Sequence, residues 1–349
     1  MKTRVKPPKD TRGAALLTAM LTVTLVATFA AAALWQQWRA VEVESAERAR
    51  VQSAWVLIGA LDWSRLILRE DARAGGASGG ADHLAEPWAV PLEEAKLSSF
   101  LAADKNIASD ALEGLPDAFM SGRIVDAQSK LNVLNLVDSG KPVATSVAAF
   151  TKLFELLGLP AQEVGVLTAN LQRTLPAAPA APNPTGTGTV PPATTTTTTT
   201  ESSTAGPLMP QRTSQLVWLG LSPSTVAALQ PYVTVLPVRT PLNINTASAE
   251  VLFASVPSLD LAGAKRLVAE RARNYFRSLA DASAKVQESS SQFVEGQHSV
   301  ATSYFEVLGR LRLDRTWVEE QSLLRRDGVE VRIVWRERGA GATSAPPKP

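Results

Sequence analysis

Arg12-Gly13-Ala14-Ala15-Leu16-Leu17-Thr18-Ala19-Met20-Leu21-Thr22-Val23-Thr24-Leu25-Val26-Ala27-Thr28-Phe29-Ala30-Ala31-Ala32-Ala33-Leu34-Trp35 is the stretch on which the reading of this chain turns. Ala14 to Trp35 is apolar apart from four threonines, and no charge appears until after Trp38. At about 1.5 Å per residue such a helix spans roughly 33 Å, enough to cross a bilayer core. Lys2, Arg4, Lys6, Lys9 and Arg12 precede it, against Asp10 alone. A basic flank of this kind stays in the cytoplasm and sends the rest of the chain across the membrane.

Three readings fit the segment. Ala31-Ala32-Ala33 offers a small-residue site for a cleaved secretory signal, but the apolar run exceeds the usual signal core and helix-forming sequence continues beyond it. A plain signal anchor needs only the run and its flank. The third reading uses Gly13, at the cytoplasmic edge directly before the run. It resembles the place where a prepilin peptidase cuts type IV pilins and type II secretion pseudopilins, leaving the hydrophobic helix attached.

The 349 residues suffice for one large domain or two small ones, and 45% hydrophobic content allows a sizeable core. The net charge of +2 conceals a split: five positive charges and one negative lie in residues 1–13, so the remainder carries −2. That balance provides no basic surface for nucleic acid. With no cysteine, an exported body folds without disulfides and thiol chemistry is excluded.

Beyond Trp38 the pattern stays helical to about Arg69, with Val51, Ala54, Trp55, Ile58 and Leu61 predicting one apolar stripe. A single long helix is the simplest picture; two helices with a break at the membrane surface are the alternative. Ala74 to Gly80 reads as the closing loop. Asp82, His83 and Glu86 then cluster in a polar segment read as solvated, with no metal assigned. Gly122 to Val133 reads as two short strands around a polar turn. Val147 to Leu157, stopped by Gly158 and Pro160, and Ala161 to Leu171 read as helices. Pro176 to Pro210 holds eight prolines, eleven threonines and one charge, Glu201. Such a composition buries too little apolar surface to offset its ordering entropy, and a disordered linker is expected.

Helical patterning returns at Thr213 to Leu219 and Ser224 to Leu229. In Pro241-Leu242-Asn243-Ile244-Asn245-Thr246-Ala247-Ser248-Ala249-Glu250-Val251-Leu252, Asn245 or Thr246 is the expected helix cap. A second helix, Leu261 to Tyr275, follows the turn Pro257 to Asp260. Two helices across a short turn suggest a helix-hairpin-helix. The turn lacks the glycine that exposes backbone amides to phosphate, and Asp260 brings negative charge, so a packing module is expected, without nucleic acid. Phe305 to Leu313 alternates as a half-buried strand, and Leu323 to Arg326 and Val329 to Trp335 flank Asp327-Gly328, a hairpin signal. Residues from Gly339 onward read as a frayed tail.

His83 and His298 are the only histidines, and no nucleophile elbow, phosphate-cradling loop or paired metal-ligand spacing occurs. These absences argue against an enzyme and give no catalytic residue and no cofactor.

Arg12-Gly13 before the apolar helix, Glu86-Pro87-Trp88-Ala89, Lys130-Leu131-Asn132-Val133-Leu134-Asn135 and Asn243 to Leu252 together resemble the K-type minor pseudopilins of the type II secretion pathway. The resemblance implies an α+β fold: a long N-terminal transmembrane helix on a pilin-like antiparallel sheet, with a large helical insertion (SAM-like or helix-hairpin-helix-like). It divides the chain into a prepilin leader (1–13), a transmembrane helix (14–36), the periplasmic part of that helix (37–73) and a first part of the body (82–136). A helical insertion (137–240) holding the linker (176–210), a second helical module (241–300), C-terminal strands (301–338) and a tail (339–349) follow. It implies prepilin peptidase cleavage after Gly13, N-methylation of Ala14, and an inner-membrane protein with a cytoplasmic N-terminus and a periplasmic body. The implied partners are the I-type and J-type minor pseudopilins at the pseudopilus tip, the peptidase, other secretion components and the membrane. Thr18, fifth after the cleavage point, stands where most pilins carry glutamate; the K type lacks that glutamate too. Family members often carry an acidic, calcium-associated segment, whereas the corresponding Ala169 to Arg173 has no carboxylate, so no calcium site is expected. The rival reading is a signal-anchored periplasmic helical adaptor outside any secretion system.

Overall fold

The computed structural model describes residues 12–75, 80–97, 118–175, 207–286, 293–313 and 316–342. It divides into a unit ending at Gly59 and one beginning at Ala60. Helix α1 runs Arg12–Gly75 without interruption, so no break occurs at the membrane surface. In its first part Leu16, Leu25, Phe29 and Trp35 are all exposed, as lipid-facing residues must be. Thr18, Thr22, Thr24 and Thr28 donate their hydroxyls to the carbonyls of Ala15, Ala19, Leu21 and Leu25 at 2.8–2.9 Å. Each polar group is thereby satisfied within the helix, which a hydrocarbon surrounding requires. The wet part that follows carries the ion pairs Glu44–Arg48 and Glu47–Arg50.

The second unit is built on an antiparallel five-stranded sheet in the order β1-β2-β9-β10-β11: Leu92–Lys96, Ala118–Asp126, Tyr304–Leu313, Thr316–Asp327 and Glu330–Ala342. The end of α1 lies on one face. Leu61 and Leu68, seven residues and two turns apart, pack with Trp88, Ile124, Phe305, Val307, Leu324 and Val331. Arg65 adds two hydrogen bonds to the Val331 carbonyl, at 3.2 and 3.0 Å. Because strand side chains alternate, Tyr304 and Leu323 point to the opposite face, where they meet Ala127 and Leu236. The sheet is therefore covered on both sides, by α1 and by the inserted module.

That module has the larger core. Helices α2 (Ala144–Leu156), α3 (Gln162–Thr174), α4 (Pro223–Leu229), α5 (Ala249–Ser255), α6 (Leu261–Arg273) and α7 (Leu279–Ser283) enclose Phe150, Phe154, Leu167, Leu216, Val251 and Leu267. Short strand pairs tie its segments together: β3 (Leu131–Asn132) with β6 (Val233–Thr234), β4 (Val137–Asp138) with β5 (Lys141–Pro142), and β7 (Leu242–Asn243) with β8 (His298–Ser299).

Several expectations are corrected. Val51 and Trp55 are exposed; the buried face of α1 in the body runs through Leu61, Ser64 and Leu68, because small Ser64 admits close approach while its hydroxyl bonds the Ala60 carbonyl. The helix expected at Thr213–Leu219 is present with the same bounds, as a 3-10 helix ended by Gly220 at φ +90°. The run 122–133 holds two strands around a 3-10 turn, as expected, but the first is longer, beginning at Ala118, and the second is the two-residue β3. The terminal hairpin pairs Asp327 with Glu330, so its loop is Gly328-Val329, one residue later than expected. Gly328, at φ +56°, supplies the positive φ that a loop opening on glycine needs. Gly339 to Ala342 pair with Glu319 to Thr316 and are strand rather than tail, while 343–349 lie outside the described residues. Pro210 is buried and Met209 packs on the module core, so the linker ends before 207; 176–206 lie outside the described residues. Strand β1 went unread because its Leu-Glu-Glu-Ala-Lys is an exposed, bulged edge without alternation.

Leu68 is fully buried and Leu66 is 43% exposed on the same turn. Leu68→Ala is expected to lower stability by about 3 kcal/mol and Leu66→Ala by less than about 1 kcal/mol, measured by urea unfolding of the full chain in detergent.

Candidate functional site

Asn132, Asn135, Asn243, Asn245 and Thr246, among the residues that carried the resemblance, use their side chains at the seam where the sheet runs into the inserted module and within that module. Asn132 accepts from Leu134 N and Leu236 N and donates to the Val238 carbonyl at 2.8 Å. Asn135 donates to the Thr240 carbonyl at 2.7 Å and accepts from its N–H at 3.1 Å. Asn245 treats Phe276 the same way, both bonds at 2.9 Å. A carboxamide used so replaces a missing strand neighbour, satisfying backbone groups that no ladder reaches.

Asn243 and Thr246 complete the seam. Asn243 Nδ2 donates to Asp126 Oδ2 at 2.8 Å and to the Asp82 carbonyl at 3.1 Å; Thr246 donates to the same Asp126 oxygen at 2.6 Å. Asp126 Oδ1 accepts from Gln128 N at 2.7 Å, and Gln128 bridges the Pro241 carbonyl to Ser303 N. Burial pushes the Asp126 carboxyl up to about 6, with the Thr246 and Asn243 bonds holding it from rising further. Thr246 is thus a tertiary link. The cap of α5 is Ser248, not the expected Asn245 or Thr246, accepting from Val251 N at 3.3 Å.

The ionisable side chains of segment 82–86 are withdrawn from solvent, while Leu84 and Ala85 are exposed. Asp82 is 3% exposed, accepts from Thr302 N at 2.7 Å and pairs with Arg326, which also reaches Asp71 at 2.6 Å. Asp71, Asp82 and Glu86 each bring a carboxylate oxygen within 4.8 Å of the others. The guanidinium of Arg326 occupies the role that a cation would have there. Burial opposes its charge, but the two carboxylates outweigh that and raise its pKa. His83 stands aside, stacked on Tyr275 at 3.8 Å, and burial lowers its pKa. The sequence marked Asp82 and Glu86 as a polar cluster but not Asp71 or Arg326, since Arg326 lies 255 and 244 residues from Asp71 and Asp82.

At the helix-hairpin-helix turn Asp260 Oδ1 takes the Gly263 N–H at 2.5 Å, capping α6, and Lys152 Nζ binds the carbonyls of Val256 and Leu259 at 2.9 Å. The Gly263 amide and the Lys152 cation, which a phosphate would meet, are engaged internally. Asn170 and Gln172, in the segment corresponding to the family's acidic stretch, donate to the Leu219 and Gly140 carbonyls at 2.9 Å. Gly13 and Ala14 lie in the first turn of α1; residues 1–11 are outside the described residues.

Arg326→Met leaves two buried carboxylates uncompensated and is expected to cost about 3–5 kcal/mol in urea unfolding. Glu86 gives a pH signature. Burial raises its pKa to about 7, against the bonds from His83 N and Trp88 Nε1. The folded chain then holds a proton that the unfolded chain releases above about 4.5, so stability from this group is full below that pH and lost as pH rises through 7. Asp126 acts in the same direction but is spent by about 6. Glu86→Gln, which can still accept both bonds, is expected to flatten the fall between pH 6 and 7.5 and to gain about 1 kcal/mol at pH 7.5.

Comparison with known proteins accords with this geometry. Family models described as type II secretion system protein K match residues 129–238 and 242–301. The Pseudomonas aeruginosa type II secretion system protein K is 30% identical over 338 residues, covering 96% of this chain and 95% of its own. A chain in the crystal structure of the GspK–GspI–GspJ complex from the enterotoxigenic Escherichia coli type 2 secretion system has a TM-score of 0.59 at 19% identity, covering 84% of this chain and 98% of itself, a likeness of fold. The α+β architecture, the asparagine seam and a match running the length of the sequence lead to one conclusion: the chain belongs to the type II secretion system protein K family, the K-type minor pseudopilins.

Proposed function

We propose that the chain is processed after Gly13 by prepilin peptidase, is N-methylated on Ala14, and assembles with I-type and J-type minor pseudopilins at the pseudopilus tip. There it supports export of folded proteins across the outer membrane. Its helix holds it in the inner membrane until assembly, with the N-terminus cytoplasmic and the body periplasmic. The role is structural rather than enzymatic. The observation that carries this reading is the position of Arg12-Gly13 at the foot of the one helix, among the described residues, long and apolar enough to span a membrane. The partners are carried over from the complex named for the Escherichia coli structure.

Mass spectrometry of the mature N-terminus tests the processing: methylated Ala14 is expected, whereas retained Met1 or a start at Leu34 overturns it and favours a plain anchor or a cleaved signal. Thr18 tests the tip placement. Its hydroxyl binds the Ala15 carbonyl at 2.9 Å, so Thr18→Ala is expected to preserve secretion. Thr18→Glu places a carboxylate in the bilayer at about 2–4 kcal/mol unless a neighbour's amine meets it, and is expected to reduce secretion at equal protein level.

A further inference from the structure

Residues 261–277 carry five cations and one carboxylate, Glu270, a net charge of +4. Helix α6 sorts them by face. Gly263, Ala264 and Leu267 are buried, and Arg271 on the same side donates to the Ile244 carbonyl at 2.5 Å. Lys265, Arg266 and Arg273 are exposed with Ala262 and Ala269 among them, and Arg277, also exposed, follows just beyond the helix. At about 100° per residue those five helix positions fall within one arc of about 100°. Arg266 and Arg273 stand two turns, about 10 Å, apart along it.

Within the chain these charges go unanswered. Glu270 is taken by Lys285 at 3.3 Å, and Lys265, Arg266, Arg273 and Arg277 form no ion pair or hydrogen bond among the described residues. The exposed charges of α1 behave differently: Glu44–Arg48, Asp62–Arg65 and Glu70–Arg73 pair at three- or four-residue spacing. The negative end of the helix dipole accounts for Arg273 in the last turn, but not for Lys265 and Arg266 nearer the start. Like charges gathered on one face repel one another, and an anionic partner relieves that repulsion.

The surroundings select the kind of anion. Among residues 239–286 no large apolar side chain is exposed, so the face has nothing to enter a bilayer. Tyr275, two residues beyond the helix, is stacked on His83 at 3.8 Å rather than open to a base. The alanines between the cations let another backbone come close. We propose that this face of α6 docks an acidic helix of a partner protein, whose carboxylates seven residues apart meet Arg266 and Arg273 while Lys265 and Arg277 flank them.

The probe is a fluorescein-labelled alanine–glutamine helix bearing glutamates at i, i+3, i+7 and i+10, titrated with the full-length chain in neutral detergent and read by anisotropy. Saturable binding that weakens as salt rises from about 50 to about 200 mM is expected. A peptide of the same composition with its glutamates spread around the helix is expected to bind at least about threefold more weakly, and the all-glutamine counterpart not at all. Lys265→Gln, Arg266→Gln, Arg273→Gln and Arg277→Gln combined are expected to lower affinity about tenfold with the melting temperature unchanged, whereas Arg48→Gln with Arg50→Gln, on α1, leaves affinity as it was. Should the fourfold variant not fold, Arg266→Gln with Arg273→Gln carries the test, with an expected loss of roughly threefold to fivefold. Equal binding of the spread peptide, full affinity in the α6 variants, an equal loss in the α1 variant, or tighter α6-dependent binding of a DNA duplex or of a short-chain phosphatidylglycerol overturns the proposal.

Discussion

Arg326 is the side chain on which the body depends. It stands on β10, pairs with Asp71 near the end of α1 and with Asp82 beyond it, binds the Thr302 carbonyl at 3.1 Å and lies over the Phe305 ring. Helix, loop and sheet thus share one guanidinium, whose planar fork holds several oxygens in fixed directions. Its charge is nearly buried, with 11% of the side chain exposed. A buried ion group adds little net stability over an apolar replacement, but loss of one member strands the others. Its value therefore lies in setting where the long helix ends and which way the chain turns into the body.

The seam beside it follows the same logic in neutral form. Sheet and inserted module meet where regular ladders stop, and short segments there leave amides and carbonyls unpaired. Asn132, Asn135 and Asn245 answer with carboxamides that accept and donate together. Asp126, wholly buried, gathers Gln128, Asn243 and Thr246 at one carboxylate. The specificity of the Asn-Ile-Asn-Thr motif is thus architectural. It ties the inserted module to Asp126 at the end of β2 and holds the module together at Phe276, and no substrate or cofactor chemistry is needed to account for it.

The helix-hairpin-helix outline shows the converse, a shape kept while its usual ligand chemistry is closed off. Asp260 turns its carboxylate onto the amide of Gly263, and a Cβ at Gly263 would fall 2.7 Å from that same oxygen. The glycine serves the internal cap, and Lys152 is drawn over Phe253 and onto carbonyls of the turn. What a phosphate would have needed is spent on holding two helices together.

The sequence alone determined the membrane helix, the helical module, the terminal hairpin and the family, because each rests on local signals: an uncharged apolar run, spacing along a helix, strand alternation, a motif read residue by residue. It also singled out Asn132, Asn135, Asn243 and Asn245 without showing what they do. Tertiary structure alone decided which face of α1 is buried in the body, since Leu66 is as apolar as Leu61 and Leu68 and only the placement of the sheet separates them. It alone shifted the hairpin loop to Gly328-Val329, moved the α5 cap to Ser248 and paired Gly339 to Ala342 into the sheet. It alone joined Asp71, Asp82 and Arg326. These outcomes depend on groups brought together across scores to hundreds of residues, where packing and desolvation act and no periodicity along the chain records the result.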